Sequence, residues 1–392
     1  MDGSTWAAKV TRVDFTTQLR NALSKLCCSH RLVNRHIEPM YSRKVVDMAA
    51  VRLQDVAAAA GVSQATASRV LNGSSRVPGV GVADRVRAAA AELGYVPNAQ
   101  AQALARSSTG LIGLVVHDVA DPYFSSIVRG VQAQARAAGK LVLLASTERD
   151  FDVERQSVST FISHRADAII LAGSRQSGDL DRDLEQEFAV YRENGGKVVV
   201  IGQPLSFGAA VEPENWSASG QLAEALYQHG HRTFAIIGGP GNIRTSVDRR
   251  NGFVDTLSRH GLSPIIEVSG DFSRDGGYSA ARRLAAALEI SPQSPRGRPP
   301  CVFAVTDVMA IGAIAAWREL GLSVPEHVCV AGFDDIPTLR DHVPSLSTVA
   351  LSLVDIGRRA VDLALDEAAA GQCAHEFVPG TVILRHSSAL SS

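Results

Sequence analysis

Gln64, Ala65, Ser68 and Arg69 stand together in the stretch "GVSQATASRVLNG". A glutamine can pair with the edge of an adenine, an arginine with that of a guanine, and an alanine methyl can touch the methyl of a thymine. Ser63 before them and Asn72 after them complete a candidate set for contacting double-stranded DNA. A second group is scattered through the rest of the chain. Asp118, Tyr123 and Phe124 follow the apolar run "LIGLVV", Arg249 precedes "NGF", Asp307 follows "VFAVT", and Asp334 follows "VAGF". An arginine fork donates to adjacent hydroxyls or a carboxylate, and an aspartate accepts from hydroxyls. Aromatic rings cover apolar faces in small-molecule pockets. Taken alone, Asp334 reads first as a strand-end cap.

These residues need particular elements beneath them. Leu53, Val56, Ala57 and Ala60 follow i, i+3, i+4, i+7 spacing, one apolar face of a helix. Gly61 suits a left-handed C-cap and Ser63 an N-cap. In the helix that follows, Ala67, Val70 and Leu71 turn inward and leave the four polar or small residues outside. A third helix is carried by Val86, Ala89, Ala90 and Leu93 and stops at Gly94. Together these make a helix–turn–helix over 51–96. From Arg52 to Arg106, six arginines face Asp55, Asp84 and Glu92, an excess with the right sign for phosphate contact. A plain three-helix packing module fits the same periodicity. Residues 97–109, "PNAQAQALARSST", are a linker with room for a short helix. From Leu111 onward, runs such as "LVLLA", "AIILA", "KVVVI", "TFAIIGG" and "VCVAGFDD" alternate with amphipathic stretches. That alternation means parallel sheets built from βα units. Its length points to an α/β core of two similar lobes.

The chain has 392 residues, 45% hydrophobic and 20% charged, with a formal net charge of -1. Such a composition is that of a soluble globular protein with room for more than one domain. No apolar run is long enough to cross a membrane and no export signal opens the chain. The five cysteines, Cys27, Cys28, Cys301, Cys329 and Cys373, form neither a metal-spaced set nor a disulfide framework, so a cytoplasmic location, no metal and no cofactor are expected. Enzyme motifs are incomplete. "IIGGPGN" has neither GxGxxG nor a GK[ST] ending, no GxSxG elbow occurs, and "HGH" at His229–His231 is not metal spacing. The adjacent acids of "FDDIP" point apart, and Asp341-His342 has no nucleophile beside it.

"VRLQDVAAAAGVSQATASRVLNGSSRV…RVRAAAAELGYVPNAQAQALA" resembles the headpiece of the lactose/galactose repressor (LacI/GalR) family of bacterial transcription regulators. The resemblance continues through "IGLVVHDVADPYFSSIVRGV", "GHRTFAIIGGPGN", "RRNGF", "GDFSRDGGYSAARRL", "TDVMAIGAIAAWRELGLSVPEHVCVAGFDDIP" and "PSLSTVALSLVDIGRRAVDLAL", about residues 51–388 in the family's order. It implies an N-terminal helix–turn–helix headpiece, a hinge, and a two-lobed periplasmic-binding-protein-like core of parallel sheets. The lobe boundaries it suggests are about 110–209 plus 342–366, and about 210–341 plus 367–392.

The resemblance also implies roles. Gln64, Ala65 and Arg69 fall on base-reading positions. Asn98, Ala101 and Leu104 fall in a hinge helix that orders on operator DNA, where the leucine wedges into the minor groove. Arg249 and Asp334 fall on effector-contacting positions, and Phe272 on one whose ring packs against the ligand. The expected protein is a homodimeric repressor of operator DNA controlled by a small molecule, most simply a carbohydrate. A solute-binding protein of the same two-lobed fold is the alternative. The chain departs from the family at Arg52, where a capping Ser or Thr is usual, at Ala67, where a valine is usual, and at Thr306, where an asparagine is usual. The turn "SSRVPGVGVADRVRAA" is one residue longer and lacks the usual caps.

Residues 1–50 lie ahead of the resemblance and carry no clear period. The natural start is expected at Met48, the preceding segment being a mis-called upstream translation; a basic arm using Arg31, Arg35, Arg43 and Lys44 is the alternative. No heptad repeat follows the core, so a dimer without a tetramer-forming coil is expected.

Overall fold

The computed structural model describes residues 51–72, 79–96, 108–174, 180–293, 298–366 and 374–390. The expectations for Asn98, Ala101, Leu104, Met48 and the rest of residues 1–50 lie outside the described residues. The chain divides after Pro97 into two compact units.

The first unit holds α1 (Leu53–Ala60), α2 (Gln64–Asn72) and α3 (Val80–Glu92). Val56, Ala57 and Ala60 of α1, Ala67 and Val70 of α2, and Ala83, Val86, Ala89 and Ala90 of α3 form its core. Most are alanines, so the helices approach closely around a small apolar centre. Gly61 takes φ +65° after α1, a conformation that costs glycine nothing. Its N–H donates to the Ala58 carbonyl, and Val62 N–H to that of Ala57. The tight turn then delivers Ser63, whose Oγ accepts from Thr66 N–H at 3.2 Å and caps α2. Arg52 cannot accept as a capping serine would. Asp55, in the first turn of α1, reaches back instead, and its Oδ2 accepts from Arg52 N–H at 2.8 Å.

The second unit contains two parallel sheets. The first is ordered β11-β5-β4-β3-β1-β2, from β1 (Leu111–Val116), β2 (Leu141–Ser146), β3 (Ala168–Ala172), β4 (Lys197–Ile201), β5 (Ala209–Pro213) and β11 (His375–Val378). The second is ordered β7-β6-β8-β9, from β6 (Phe234–Gly238), β7 (Ile266–Ser269), β8 (Cys301–Ala304) and β9 (Cys329–Ala331). β3, β5, β8 and β9 are buried along their whole length, which is why all but β5, with its Glu212, read as unbroken apolar runs. β10 (Thr348–Ala350) and β12 (Thr381–Ile383) pair as an antiparallel ribbon.

Helices α4 (Pro122–Ala137), α5 (Phe151–Ser163), α6 (Leu180–Glu193) and α11 (Leu353–Leu365) accompany the first sheet, and α7 (Asn215–Gln228), α8 (Arg244–Arg259), α9 (Arg274–Ala287) and α10 (Asp307–Glu319) the second. The chain crosses between lobes after β5, before α11 and after β11. The expected boundaries differ in two respects. Ser347 and Val349, expected in the first lobe, accept from Gly332 N–H and Asp334 N–H after β9 and so belong with the second. β11, at 375–378, and β5, at 209–213, both pair within the first sheet, so residues near 210 and part of 367–392 belong to the first lobe. A short edge strand such as β11 has no amphipathic period to announce it.

Candidate DNA-reading face and effector cleft

On the first unit, α2 divides cleanly. Ala67 and Val70 are buried, whereas Ser63, Gln64, Ala65 and Arg69 are exposed. Ser68 and Asn72 are half-buried, and Asn72 Nδ2 donates to Ser68 Oγ at 2.9 Å. The exposed group is therefore narrower than the six residues expected from sequence.

In the second unit, the carboxyl ends of the strands from both sheets converge on a cleft. Ligands of open α/β sheets bind at such strand ends. His117 follows β1, Ser174 follows β3, Asn215 begins α7, and Thr245 and Arg249 come from α8; Phe272, Thr306 and Asp334 follow β7, β8 and β9. Tyr123 and Phe124, at the start of α4, add an aromatic wall, their rings edge-to-face at 4.9 Å. Of the seven expected effector residues, Tyr123, Phe124, Arg249, Phe272 and Asp334 line this cleft.

The cleft floor is a buried charge network. Arg249 Nη2 donates to Asp334 Oδ1 at 2.8 Å, Nη1 to the Val305 carbonyl at 2.8 Å, and Nε to Asn215 Oδ1 at 2.8 Å. Its guanidinium also lies 3.9 Å from the centre of the Phe333 ring. Arg249 is thus held by protein partners along its length, and its fork is not an empty one awaiting a ligand. Burial pushes the Asp334 carboxyl above the ordinary range, while Arg249 beside it pulls the other way. Asp334 adopts φ +119° and Phe272 φ +68°, conformations that side chains other than glycine rarely hold. Each costs on the order of 1–3 kcal/mol and persists only where the surroundings fix it.

Two expected residues are elsewhere. Asp118 is exposed, and its Oδ1 accepts from Ala120 N–H at 2.8 Å within the loop after β1. Asp121, three residues on, lines the cleft in its place and caps α4 by accepting from Tyr123 N–H at 2.9 Å. Burial raises the pKa of Asp121. Asp307 is fully buried outside the cleft; its Oδ2 accepts from Ile336 N–H at 3.0 Å and its Oδ1 from Thr348 Oγ1 at 2.6 Å. It ties the start of α10 to the crossing segments, and burial pushes its carboxyl up to about 7. Both misplacements have one cause. A strand end fixes where the loop begins but not which of its acids turns inward.

Residues missed from sequence are Asp121, Arg149, Asn215, Ser174, Thr245 and His117. Asp121 precedes Pro122 at a helix start, an N-cap signal that places it at a strand end. Arg149 gives no such signal. It lies in a turn at φ +65°, with its guanidinium 5.0 Å from the centre of the Phe272 ring across the cleft. Among the described residues, no group of three or more His, Cys, Asp or Glu is placed to hold a metal. No helix among them is long and apolar enough to cross a membrane.

Residues 52–98 match the family model of bacterial regulatory proteins of the lacI family, and residues 223–388 that of a periplasmic binding protein-like domain. The transcriptional regulator GalS of Salmonella typhimurium is 33% identical over 86% of this chain and 97% of its own length. The transcriptional repressor CytR of Escherichia coli K12 is 32% identical over 81% of this chain and 90% of its own. Among solved structures, the lac repressor dimer bound to operator and the anti-inducer ONPF superposes with TM-score 0.73 at 25% identity, covering 87% of this chain and 99% of that one. The regulator CelR in complex with cellobiose gives TM-score 0.61 at 27% identity, covering 86% and 99%.

Proposed function

This chain belongs to the LacI family of bacterial transcriptional regulators, and from that premise we propose that α2 reads operator DNA through Gln64, Ala65 and Arg69 while the cleft takes a small polyhydroxylated effector, a carbohydrate. It is a DNA-binding regulator and not an enzyme. The observation that carries the DNA assignment is the division of α2, whose exposed residues match the donors and acceptors of base edges while its opposite face fills the core.

The effector reading is supported by the cleft's chemistry. The Phe272 ring suits the apolar face of a sugar, and Asp121 and Asp334 accept from hydroxyls. The CelR complex holds cellobiose, which makes sugars the natural first panel. A homodimer follows the lac repressor structure, and two headpieces then read two half-sites. A reducing cytoplasm suits the buried free thiols of Cys301 and Cys329.

The test is a footprint on a fragment that the purified protein selects from random-sequence DNA, repeated with a panel of mono- and disaccharides. Protection of a two-fold symmetric site that changes with one sugar is expected. Protection without sequence preference would sink the α2 assignment, and a footprint indifferent to every sugar would sink the carbohydrate assignment.

A further inference from the structure

Arg244 Nη2 of α8 lies 2.8 Å from Glu212 Oε1 of β5, so an ion pair joins the second lobe to the sheet of the first. The other carboxylate oxygen, Oε2, lies 2.6 Å from Nε2 of His375 on β11. Glu212 is nearly buried while Arg244 is about half exposed, with side-chain exposures of 11% and 45%. Ion pairs between fully exposed groups contribute little. Here the carboxylate is withdrawn from water and depends on its partners, which makes separation costly.

The pair sits where it can govern the cleft. β5 leads directly into a crossing between lobes, through Pro213 and Asn215, both of which line the cleft. Arg244 opens α8, the helix that presents Thr245 and Arg249 to the cleft. α8 has no side-chain N-cap of its own. Its first turn is held from the other lobe instead, by Glu212 on Arg244 and by a hydrogen bond between the Ser174 and Thr245 hydroxyls. Asp248, one turn along α8, also accepts from Arg244 Nε at 3.3 Å and steadies the guanidinium. Any rotation of the lobes that carries α8 from β5 must break the contact and leave Glu212 with His375 alone among the partners the described residues provide.

We propose that Glu212 and Arg244 form an inter-lobe latch that sets the resting orientation of the lobes and thereby the operator affinity. They are positioning residues, acting through α8 and the crossing after β5. His375 orients the carboxylate. The DNA half of this inference rests on the regulator reading above; the conformational half does not.

The test uses the full chain and the variants Arg244→Met, Arg244→Lys, Glu212→Gln and the Glu212→Gln/Arg244→Met double. Small-angle scattering without added sugar should show a larger radius of gyration for Arg244→Met and Glu212→Gln, and a wild-type value for Arg244→Lys, which keeps the charge. The double variant should expand no further than either single one, because both remove one contact. Affinity for the selected DNA fragment should change about fivefold or more in Arg244→Met, the scale of an allosteric coupling, and recover in Arg244→Lys. Arg244→Met leaves Glu212 its His375 partner, so its melting temperature should fall but the chain should stay folded at the assay temperature and readable even if Glu212→Gln folds poorly. Wild-type scattering and DNA affinity in Arg244→Met would overturn the latch. If the wild-type chain selects no DNA, the regulator reading fails and the scattering comparison still decides the latch.

Discussion

Arg249 Nη2 and Asp334 Oδ1 meet at 2.8 Å with both side chains withdrawn from water, one reaching from α8 and the other from the loop after β9. The sequence presents them as two separate candidate contacts for an effector. The structure makes each the other's counter-ion, and Asn215 and the Val305 carbonyl accept from two more of the guanidinium N–H groups. Arg249→Ala and Asp334→Ala should each lower the unfolding free energy by about 3–5 kcal/mol, because the survivor is left as an uncompensated buried charge. The double variant should lose less than the sum of the two. Urea denaturation of all four proteins checks this; additive losses would show that the two charges are not coupled.

Asp307 offers a pH signature dominated by its own burial, with Arg249 acting on it more weakly. Its carboxyl titrates near 7 in the folded chain, because burial disfavours the charged form, and near 3.8 when unfolded. Between those values the folded state holds a proton that the unfolded state has released. Its contribution to stability is therefore full below the unfolded value and lost as pH rises through the folded one. Asp307→Asn keeps an acceptor for Ile336 N–H and gains a donor toward Thr348 Oγ1. The variant should gain stability relative to wild type, by about 1–4 kcal/mol, as pH rises from 4 to 7. A constant difference across that range, in denaturation curves at fixed ionic strength, would remove Asp307 as the source.

Much of this was legible because it follows from period and punctuation. The alanine-rich faces of α1 to α3 and the Gly61–Ser63 turn announce the headpiece, and buried parallel strands read as apolar runs. What the sequence hid was direction and pairing. Neither period nor composition tells whether Asp118 or Asp121 turns into a cleft, or that Arg249 spends its donors on the protein. Glu212 lies in a fully buried strand, where a charge looks anomalous until Arg244 and His375 are brought to it from distant parts of the chain.

The two acids after β1 can be told apart by ligand binding. Asp118→Asn keeps the acceptor for Ala120 N–H and changes nothing in the cleft wall. Asp121→Asn keeps the cap on Tyr123 N–H but removes a charged acceptor from the cleft. For the sugar with the largest effect on the footprint, calorimetry should give an unchanged dissociation constant for Asp118→Asn. Asp121→Asn should bind about tenfold or more weakly, since a hydrogen bond to a charged group is worth roughly 1.5–3 kcal/mol. Equal effects would return Asp118 to the site.

The face of α2 makes the last prediction. Arg69 and Gln64 are exposed, whereas Ser68 and Asn72 are half-buried and bonded to each other. Arg69→Ala should cost about 1–3 kcal/mol of affinity for the selected fragment, the value of a bidentate base contact, and Gln64→Ala a similar amount. Binding to random DNA should change far less, because phosphate contacts elsewhere dominate it. Ser63→Ala removes the Oγ that accepts from Thr66 N–H, so it should lower headpiece stability by about 1 kcal/mol and weaken both kinds of DNA alike. Ser68→Ala and Asn72→Ala disturb a contact within the helix and should fall between these patterns. Competition titrations of each variant against selected and random duplexes at one salt concentration separate the cases. A loss shared equally between the two duplexes for Arg69→Ala would mean that this arginine grips the backbone and that the sequence is read elsewhere.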